Sequence, residues 1–191
     1  IRDKEGRKMS KSIGNVLDPR ELSDKFGTDA LRMALIVGNG PGNDLKLSED
    51  KVKAYKLFAN KIWNATRFVF EKCEGIKYDT PLNEIDANLY KVWQEKLKEI
   101  TSDIEEYKLH IASEKIYDYF WKTFCDVIIE THKLRIQNNE DADSAKVLLV
   151  TILRENIITL HPFMPFITEE LWQYFENENK DLIIEPWPIH S

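Results

Sequence analysis

Cysteine is scarce in this sequence: only Cys73 and Cys125 occur among 191 residues, and neither belongs to a C-x-x-C pair. Thiols so few and so far apart argue against a disulfide framework or a zinc site, and they predict a reducing, cytoplasmic compartment and no protein-bound metal. Long apolar runs are also missing, since no window approaches the roughly 20 apolar residues that a membrane-spanning helix needs. We therefore expect no membrane partner.

The chain also lacks an initial methionine and a recognisable signal peptide, and it begins at Ile1. We expect Ile1 to follow a cut inside a longer protein, and the ending at residues 186–191 to be a second cut. A length of 191 residues fits one domain, or one domain with a small appendage, and is enough to bury a sizeable core.

Strand patterns are nearly absent, and residues 182–184 form the only candidate. Helix signals recur instead. Asp18 before Pro19 predicts a short helix that ends at Gly27, and Thr28 with Asp29 predicts the cap of a second helix. Further helices are expected from Ser48 to about residue 73, at 86–107, 113–137 and 143–160, and from Thr168 to residue 174.

This pattern predicts an all-α fold, an antiparallel helical bundle behind an irregular N-terminal loop. The stretch G-N-G-P-G-N-D at 38–44 is expected to be a loop and the main internal boundary. We therefore divide the chain into residues 1–45, a loop with a small helical connector, and residues 46–191, the bundle.

Acidic residues exceed basic ones overall, with a net charge of −6, but the distribution is uneven. Residues 51–77 carry seven basic side chains against Glu71 and Glu74, a local balance of +5. A positive stripe on an acidic body is compatible with RNA binding, because only the contacted face has to attract phosphate. A solvated helix face would give the same pattern.

The most informative segment is K-M-S-K-S at residues 8–12, between Gly6 and Gly14. Two lysines three residues apart place compact positive charges where a polyphosphate could bind, and the serine hydroxyls can add hydrogen bonds. The flanking glycines allow the backbone of such a loop to move. An ordinary basic surface loop is the alternative.

The five-residue string is similar to the second signature of class I aminoacyl-tRNA synthetases. The resemblance implies ATP as a substrate, with Mg²⁺, and an ATP-binding role for residues Lys8, Met9, Ser10, Lys11 and Ser12. Lys8 and Lys11 would be catalytic, because they would stabilise charge that builds on the phosphates as the aminoacyl-adenylate and pyrophosphate form.

That family carries a further ATP signature, H-I-G-H, on an upstream nucleotide-binding fold, and this sequence contains neither. His110-Ile111 imitates two letters of it on the wrong side of the lysine loop. We therefore expect the chain to need the catalytic and editing domains of the same protein as partners, to bind no cofactor tightly, and to be inactive alone.

A helical wheel of the long helix from Ser48 separates its faces. One narrow stripe is apolar and should be core: Phe58, Ile62, Ala65 and Val69. A flank beside it holds Leu57, Lys61, Asn64 and Phe68. A cation, an amide and a ring can stack and hydrogen-bond an unpaired base. Alternatively, Leu57 and Phe68 are core and Lys61 snorkels.

The segment F-A-N-K-I-W-N-A-T-R-F at 58–68 resembles the anticodon-binding domain of the valine-specific branch of the synthetase family, and F-C-D at 124–126 also resembles that branch. This implies a bundle of the anticodon-binding type, in the C-terminal part of a valine–tRNA ligase, with tRNA contacts at Lys61, Asn64, Arg67 and Phe68. Isoleucine- or leucine-specific relatives remain alternatives, as does a helical protein-interaction module without RNA.

Overall fold

Helices make up nearly all regular structure in the computed structural model, which describes residues 1–175 and 181–188. Residues 176–180 and 189–191, part of the predicted bundle 46–191, lie outside the described residues. The predicted all-α class is confirmed, since the described ranges hold no strand beyond isolated bridges of Arg2 with Lys8 and with Lys46. The helices are α1 (Pro19–Phe26), α2 (Thr28–Ile36), α3 (Glu49–Lys72), α4 (Glu84–Glu105), α5 (Leu109–Asp118), α6 (Glu130–Asn138), α7 (Ala142–Leu160) and α8 (Pro165–Trp172).

The helical connector begins as the sequence predicts. Asp18 caps α1 by accepting a hydrogen bond from the Arg20 amide at 2.7 Å. Gly27 ends α1 at a φ of 92°, a conformation in which a residue with a Cβ would be strained. The predicted cap of α2 by Thr28 and Asp29 is wrong, because α2 has no side-chain cap and Asp29 is committed to another helix.

The core stripe predicted on α3 is confirmed: Phe58, Ile62 and Val69 are fully buried, and Ala65 is nearly so. They join one large core shared by α3 to α8 and the segments between them. Ser48 caps α3 as predicted, since its hydroxyl accepts the Lys51 amide at 3.2 Å. The 24-residue helix is thus held at its start and along one face.

One continuous helical run joins α5 to α6 through a π-helical segment, Tyr119–Ile129. Its i→i+5 hydrogen bonds widen each turn. Residues spaced by four therefore stay on one line, and Phe120, Phe124 and Ile128 are all buried along it. No sequence signal predicted this wider winding; the run 113–137 was expected to be an ordinary helix.

Two predictions near the C-terminus are wrong. Helix α8 begins at Pro165 rather than at Thr168, whose buried hydroxyl donates to the Met164 carbonyl inside the helix at 2.8 Å. Leu182–Ile184 is a short 3₁₀ turn and not a strand. The Glu169 carboxylate accepts the Leu182 amide at 3.0 Å, so this turn is fixed against α8 and has no strand partner in the described part of the chain.

A buried polar cluster joins the N-terminal end of α4 to α6 and α7. The fully buried Asp86 carboxylate accepts hydrogen bonds from Arg135 at 2.6 and 3.1 Å, from Ser144 at 2.5 Å and from buried His132 at 2.9 Å. These bonds hold the pKa of Asp86 below its usual range against the opposing effect of burial. The cluster therefore ties three helices together with one carboxylate.

None of the helices in the described residues is both long enough and apolar enough to cross a membrane.

Candidate functional site

The K-M-S-K-S loop, residues 8–12, continues from a small hairpin at the start of the chain. The Met9 amide donates to the Ile1 carbonyl at 3.2 Å, and the Asp3 amide donates to Arg7 at 2.9 Å. The hairpin is also tied to the segment before α3, because the Arg2 amide donates to Leu45 at 2.7 Å and the Leu47 amide donates back to Arg2 at 3.0 Å. The base of the loop is therefore fixed to the residues that lead into α3.

Asn15 closes the loop from its far end. Its amide nitrogen donates to the buried Asp3 carboxylate at 2.9 Å, and its carbonyl oxygen accepts the Ser10 amide at 2.9 Å. The Asn15 bond and those from Arg7 lower the pKa of Asp3 to about 2, so this anchor is ionised at neutral pH. Sequence reasoning missed Asn15 and Asp3, although both belong to the flanks of the motif.

The two motif lysines, Lys8 and Lys11, project into solvent from this anchored frame. Neither ammonium group makes a hydrogen bond or an ion pair with any residue that the structure describes. The Ser10 and Ser12 hydroxyls lie 3.1 Å apart beside them. Two unpaired cations next to two hydroxyls can bind the oxygens of a polyphosphate.

A cavity of about 240 Å³ lies beside the hairpin, but its lining is unsuited to phosphate. Four carboxylates border it, from Asp3, Glu5, Glu49 and Asp50. They would repel an anion more strongly than the neighbouring Lys4 and Arg7 attract one, because Arg7 is already paired with Asp3 at 2.8 Å. A polyphosphate would therefore meet the loop on its lysine side.

On α3, Phe68 is half-buried: it packs on the core and leaves part of its ring accessible. The Lys133 and Lys72 ammonium groups lie 5.7 and 5.9 Å from its ring centroid. Leu57, in contrast, is 53% exposed, so the alternative that made both residues core holds for Phe68 alone. A partly accessible ring with two cations near it suits a stacked base and its phosphates.

Lys61 lies earlier on the same flank and is engaged with the π-helical segment. Its ammonium group donates to Asp126 at 2.9 Å and sits 5.4 Å from the Trp121 ring centroid. The Asp126 bond raises the pKa of Lys61. Asn64 is exposed between Lys61 and Phe68, so the predicted contact residues share one side of α3.

Most of the positive stripe at 51–77 serves local contacts. Lys61, Lys72 and Lys77 form ion pairs, while Lys51 and Lys56 donate to backbone carbonyls. Within the described ranges, Arg67 and Lys53 remain without a hydrogen bond or ion pair. Arg67 is exposed next to Phe68, which makes it the cation on this flank best able to bind an external anion.

The sequence did not predict that Lys133, Lys72 and Asp126 lie beside Phe68 and Lys61. The sequence around α3 could not indicate Lys133 and Asp126, because they belong to a distant helical run that only tertiary packing brings to α3. Their spacing of seven residues would place them on one face of an ordinary α-helix, whereas Asp126 lies in the wider π-helical segment. That spacing gave no indication of which helix that face would meet.

Other reactive side chains are structural. Cys125 and Cys73 are free and buried, and burial raises the pKa of both thiols to about 12. His132 binds Asp86 and the Ile128 carbonyl, not Cys125, so these two side chains do not form a thiol–imidazole pair. No group of three metal-ligating side chains comes together in the parts of the chain that the structure describes.

Comparison with known proteins places these features in a family. Residues 86–191 match the family model described as the anticodon-binding domain of tRNA ligases, and residues 1–48 match the class I tRNA synthetases for I, L, M and V. Valine–tRNA ligases of Pseudothermotoga lettingae and Thermotoga maritima are each 42% identical over 98% of the chain. That of Clostridium acetobutylicum is 42% identical over 100% of it.

The fold has a counterpart among solved structures. A LeuRS of Agrobacterium radiobacter K84, solved as a ternary complex with tRNA and LeuAMS, superposes with a TM-score of 0.75 over 97% of this chain at 25% identity. The chain spans 22% of the length of that protein and 22% of the valine–tRNA ligases.

Proposed function

Because the chain belongs to the anticodon-binding domains of tRNA ligases, we propose that it forms the anticodon-binding bundle and the lysine loop of a valine–tRNA ligase. The observation that carries the RNA-binding part is the half-buried Phe68 ring with Lys72 and Lys133 near it, and with Arg67, which has no hydrogen bond or ion pair within the described residues, as its neighbour. The choice of valine rests on the valine–tRNA ligases that match the whole chain at 42% identity.

The α3 flank would bind the anticodon loop through stacking and charge. An unpaired base stacks on Phe68, while the exposed amide of Asn64 can hydrogen-bond a base edge. Arg67 takes a phosphate without giving up an existing partner. Lys61 would contact the anticodon loop from its position over the Trp121 ring, where its ammonium group donates a hydrogen bond to Asp126 at 2.9 Å.

The lysine loop would serve the first step of the ligase reaction. A valine carboxylate attacks the α-phosphate of ATP, valyl-adenylate forms, and pyrophosphate leaves; the tRNA then takes the valyl group and AMP is released. Lys8 and Lys11 would bind the phosphates, with hydrogen bonds from Ser10 and Ser12 and backbone contact at Met9. Charge on the phosphates grows in the transition state, so this binding would lower the barrier.

Mg²⁺ would accompany ATP, as its usual counter-ion in phosphoryl chemistry. The chain alone would neither activate valine nor hold ATP tightly, because the nucleotide-binding fold and the editing part would lie elsewhere in the protein. We also infer a cytoplasmic location, which two buried free thiols support.

The anticodon proposal can be tested with the full-length protein and three tRNA transcripts, for valine, isoleucine and leucine. Phe68→Ala should weaken binding of the valine transcript roughly 5- to 100-fold, the usual effect of losing one stacked base. Arg67→Ala should reduce the salt dependence of binding by about one phosphate contact. Lys53→Ala is the matched control and should bind like wild type, since Lys53 is the other α3 cation that has no hydrogen bond or ion pair with the described residues.

Three results would count against the proposal. Preference for the isoleucine or leucine transcript would assign the protein to another branch of the family. Binding that does not respond to salt would favour a protein-interaction module. Equal affinity of wild type, Phe68→Ala and Arg67→Ala would show that the anticodon is bound elsewhere.

The lysine loop calls for a separate assay, valine-dependent exchange of pyrophosphate into ATP by the full-length protein. Lys11→Met should reduce kcat about 100- to 1,000-fold, the range for one lost electrostatic contact to a transition state. Lys4→Met, on the same hairpin and also exposed, is the control and should leave exchange unchanged. Wild-type exchange in Lys11→Met would refute the role of this loop.

A further inference from the structure

Hydrogen bonds join helix α2 of the connector to the turn that leads into α8 and to the start of α8. We call the bonds made by Asp29 and Arg32 the clasp. The Arg32 guanidinium donates to the Pro162 carbonyl at 2.8 Å and to the Phe163 carbonyl at 3.2 Å. One helical turn earlier, Asp29 accepts the Ile167 amide at 2.7 Å and the Phe166 amide at 3.3 Å. Four hydrogen bonds therefore cross between segments that are 130 or more residues apart in the chain.

Asp29 supplies the N-terminal cap that helix α8 lacks in its own sequence. The first amides of a helix have no partner within it, and here the preceding Met164 provides no side-chain cap. The carboxylate of Asp29, which belongs to α2, caps these amides of α8 instead. Asp29 is itself buried, with 6% of its surface exposed. Burial raises the pKa of this carboxyl, and the two amides and nearby Arg32 and His161 oppose the rise.

The clasp fixes more than α8, because α2 is also linked to the lysine loop. Helix α1 connects α2 to that loop, and Ser23 on α1 is bonded to Thr28 on α2 through their hydroxyls at 2.6 Å. The loop hairpin is held separately to residues 45–47, before α3. The connector that carries Lys8 and Lys11 is thus held to the bundle in three ways: by the loop hairpin before α3, by an apolar cluster that α1 and α2 share with the start of α3, and by Asp29 and Arg32 at α8.

The geometry points to Asp29 and Arg32 as positioning residues, which hold the tRNA-carrying bundle in a fixed orientation to the catalytic site that contains the lysine loop. This inference rests on the proposed function, in which the bundle carries the tRNA and the loop belongs to the catalytic site. Neither side chain belongs to the lysine loop or to the α3 flank. Both act through residues 162–167, which comprise the turn before α8 and the first residues of that helix.

Loss of this clasp should affect one step more than the others. Transfer of the valyl group requires a bundle-bound tRNA to reach the catalytic site, and a displacement of about 1 Å can cost roughly 100-fold in such a step. Formation of valyl-adenylate needs no tRNA, and in the proposed function the anticodon binds at the α3 flank, away from this clasp. We therefore expect a defect in transfer with normal activation and normal tRNA affinity.

The test uses full-length protein and measures three quantities for Asp29→Ala and Arg32→Ala. The single-turnover rate of valyl transfer from preformed adenylate should fall about 10- to 100-fold. Pyrophosphate exchange and the Kd for the valine transcript should each stay within about twofold of wild type. Asp29→Asn, which keeps one carbonyl acceptor, should fall between Asp29→Ala and wild type. Asp24→Ala, an exposed acid on α1, is the control.

A double variant separates positioning from loss of stability. If Asp29 and Arg32 act on the same turn, Asp29→Ala with Arg32→Ala should cost less in transfer than the product of the single effects. All variants are assayed well below their unfolding midpoints, and Asp29→Asn and Arg32→Lys replace the alanine variants if those do not fold.

The outcomes are distinguishable. Normal transfer in the variants, or a parallel loss of exchange, transfer and tRNA affinity, would overturn the positioning role. Failure of the wild-type protein to charge the valine transcript would instead refute the proposed function, while leaving the clasp as a contact of the fold.

Discussion

The fully buried Asp86 is the position where a one-atom change should have the largest effect on stability. Asp86→Asn keeps the size of the side chain and one carbonyl acceptor but removes the negative charge. His132 and Ser144 can still hydrogen-bond that amide. Arg135, whose side chain is only 16% exposed, loses its counter-charge. The variant therefore tests the charge of the carboxylate rather than its shape.

Removing one partner of a buried ion pair costs about 3–5 kcal/mol, because the other charge is left without compensation. Arg135 keeps some access to water, which places the expected loss near the lower end, at about 3 kcal/mol. With a urea m-value of about 2 kcal/mol/M, that loss lowers the unfolding midpoint by about 1.5 M.

Urea unfolding of the 191-residue chain, followed by circular dichroism, measures this shift. Asp143→Asn is the matched control: Asp143 lies near the same end of α7 and pairs with Lys77 at 2.9 Å, but its side chain is 45% exposed. An exposed pair contributes about 0–1 kcal/mol, so the control should shift by less than about 0.5 M. Equal midpoints for the two variants would refute the view that Asp86 ties α4, α6 and α7 together.

Three further predictions concern other parts of the fold. Burial lowers the pKa of His161, and Arg32 acts in the same direction while Glu169 and Asp29 oppose it. The unfolded chain therefore binds a proton at this residue more readily than the folded chain does. Acidification below about pH 6.5 should thus destabilise wild type more than His161→Asn, as thermal unfolding would show. Neither Cys73 nor Cys125 should react with iodoacetamide in the native state at pH 8, whereas both should react in urea, as mass spectrometry would show. Ser48→Ala should cost about 1 kcal/mol through the lost cap of α3, and an unchanged midpoint in urea would count against that cap.

Local signals in the sequence predicted much of the fold correctly. Asp18 and Ser48 cap their helices because a side-chain oxygen there can reach an amide two or three residues on, which needs no tertiary contact. The apolar stripe on α3 was predictable because the helical period alone decides which residues share a face. The lysine loop was visible as an unbroken five-residue string.

Prediction from sequence failed where a side chain is used by a distant segment. Asp29 looks like the cap of its own helix, yet it caps α8 at Ile167 and Phe166, 138 and 137 residues away. Lys61 looks like a free cation, yet Asp126 neutralises it. Nothing local distinguishes these uses, because the partner becomes a neighbour only when the helices pack.

The sequence by itself determined most of the helices, the core stripe and the presence of a lysine loop, since each depends on spacing along the chain. The tertiary structure alone decided which charges are left for a ligand. It pairs Lys61, Lys72 and Lys77, leaves Arg67 beside Phe68 unpaired within the described residues, and anchors the loop through Asn15 while Lys8 and Lys11 stay accessible. The physical reason is that an ion pair depends on distance in space, which the order of residues does not specify.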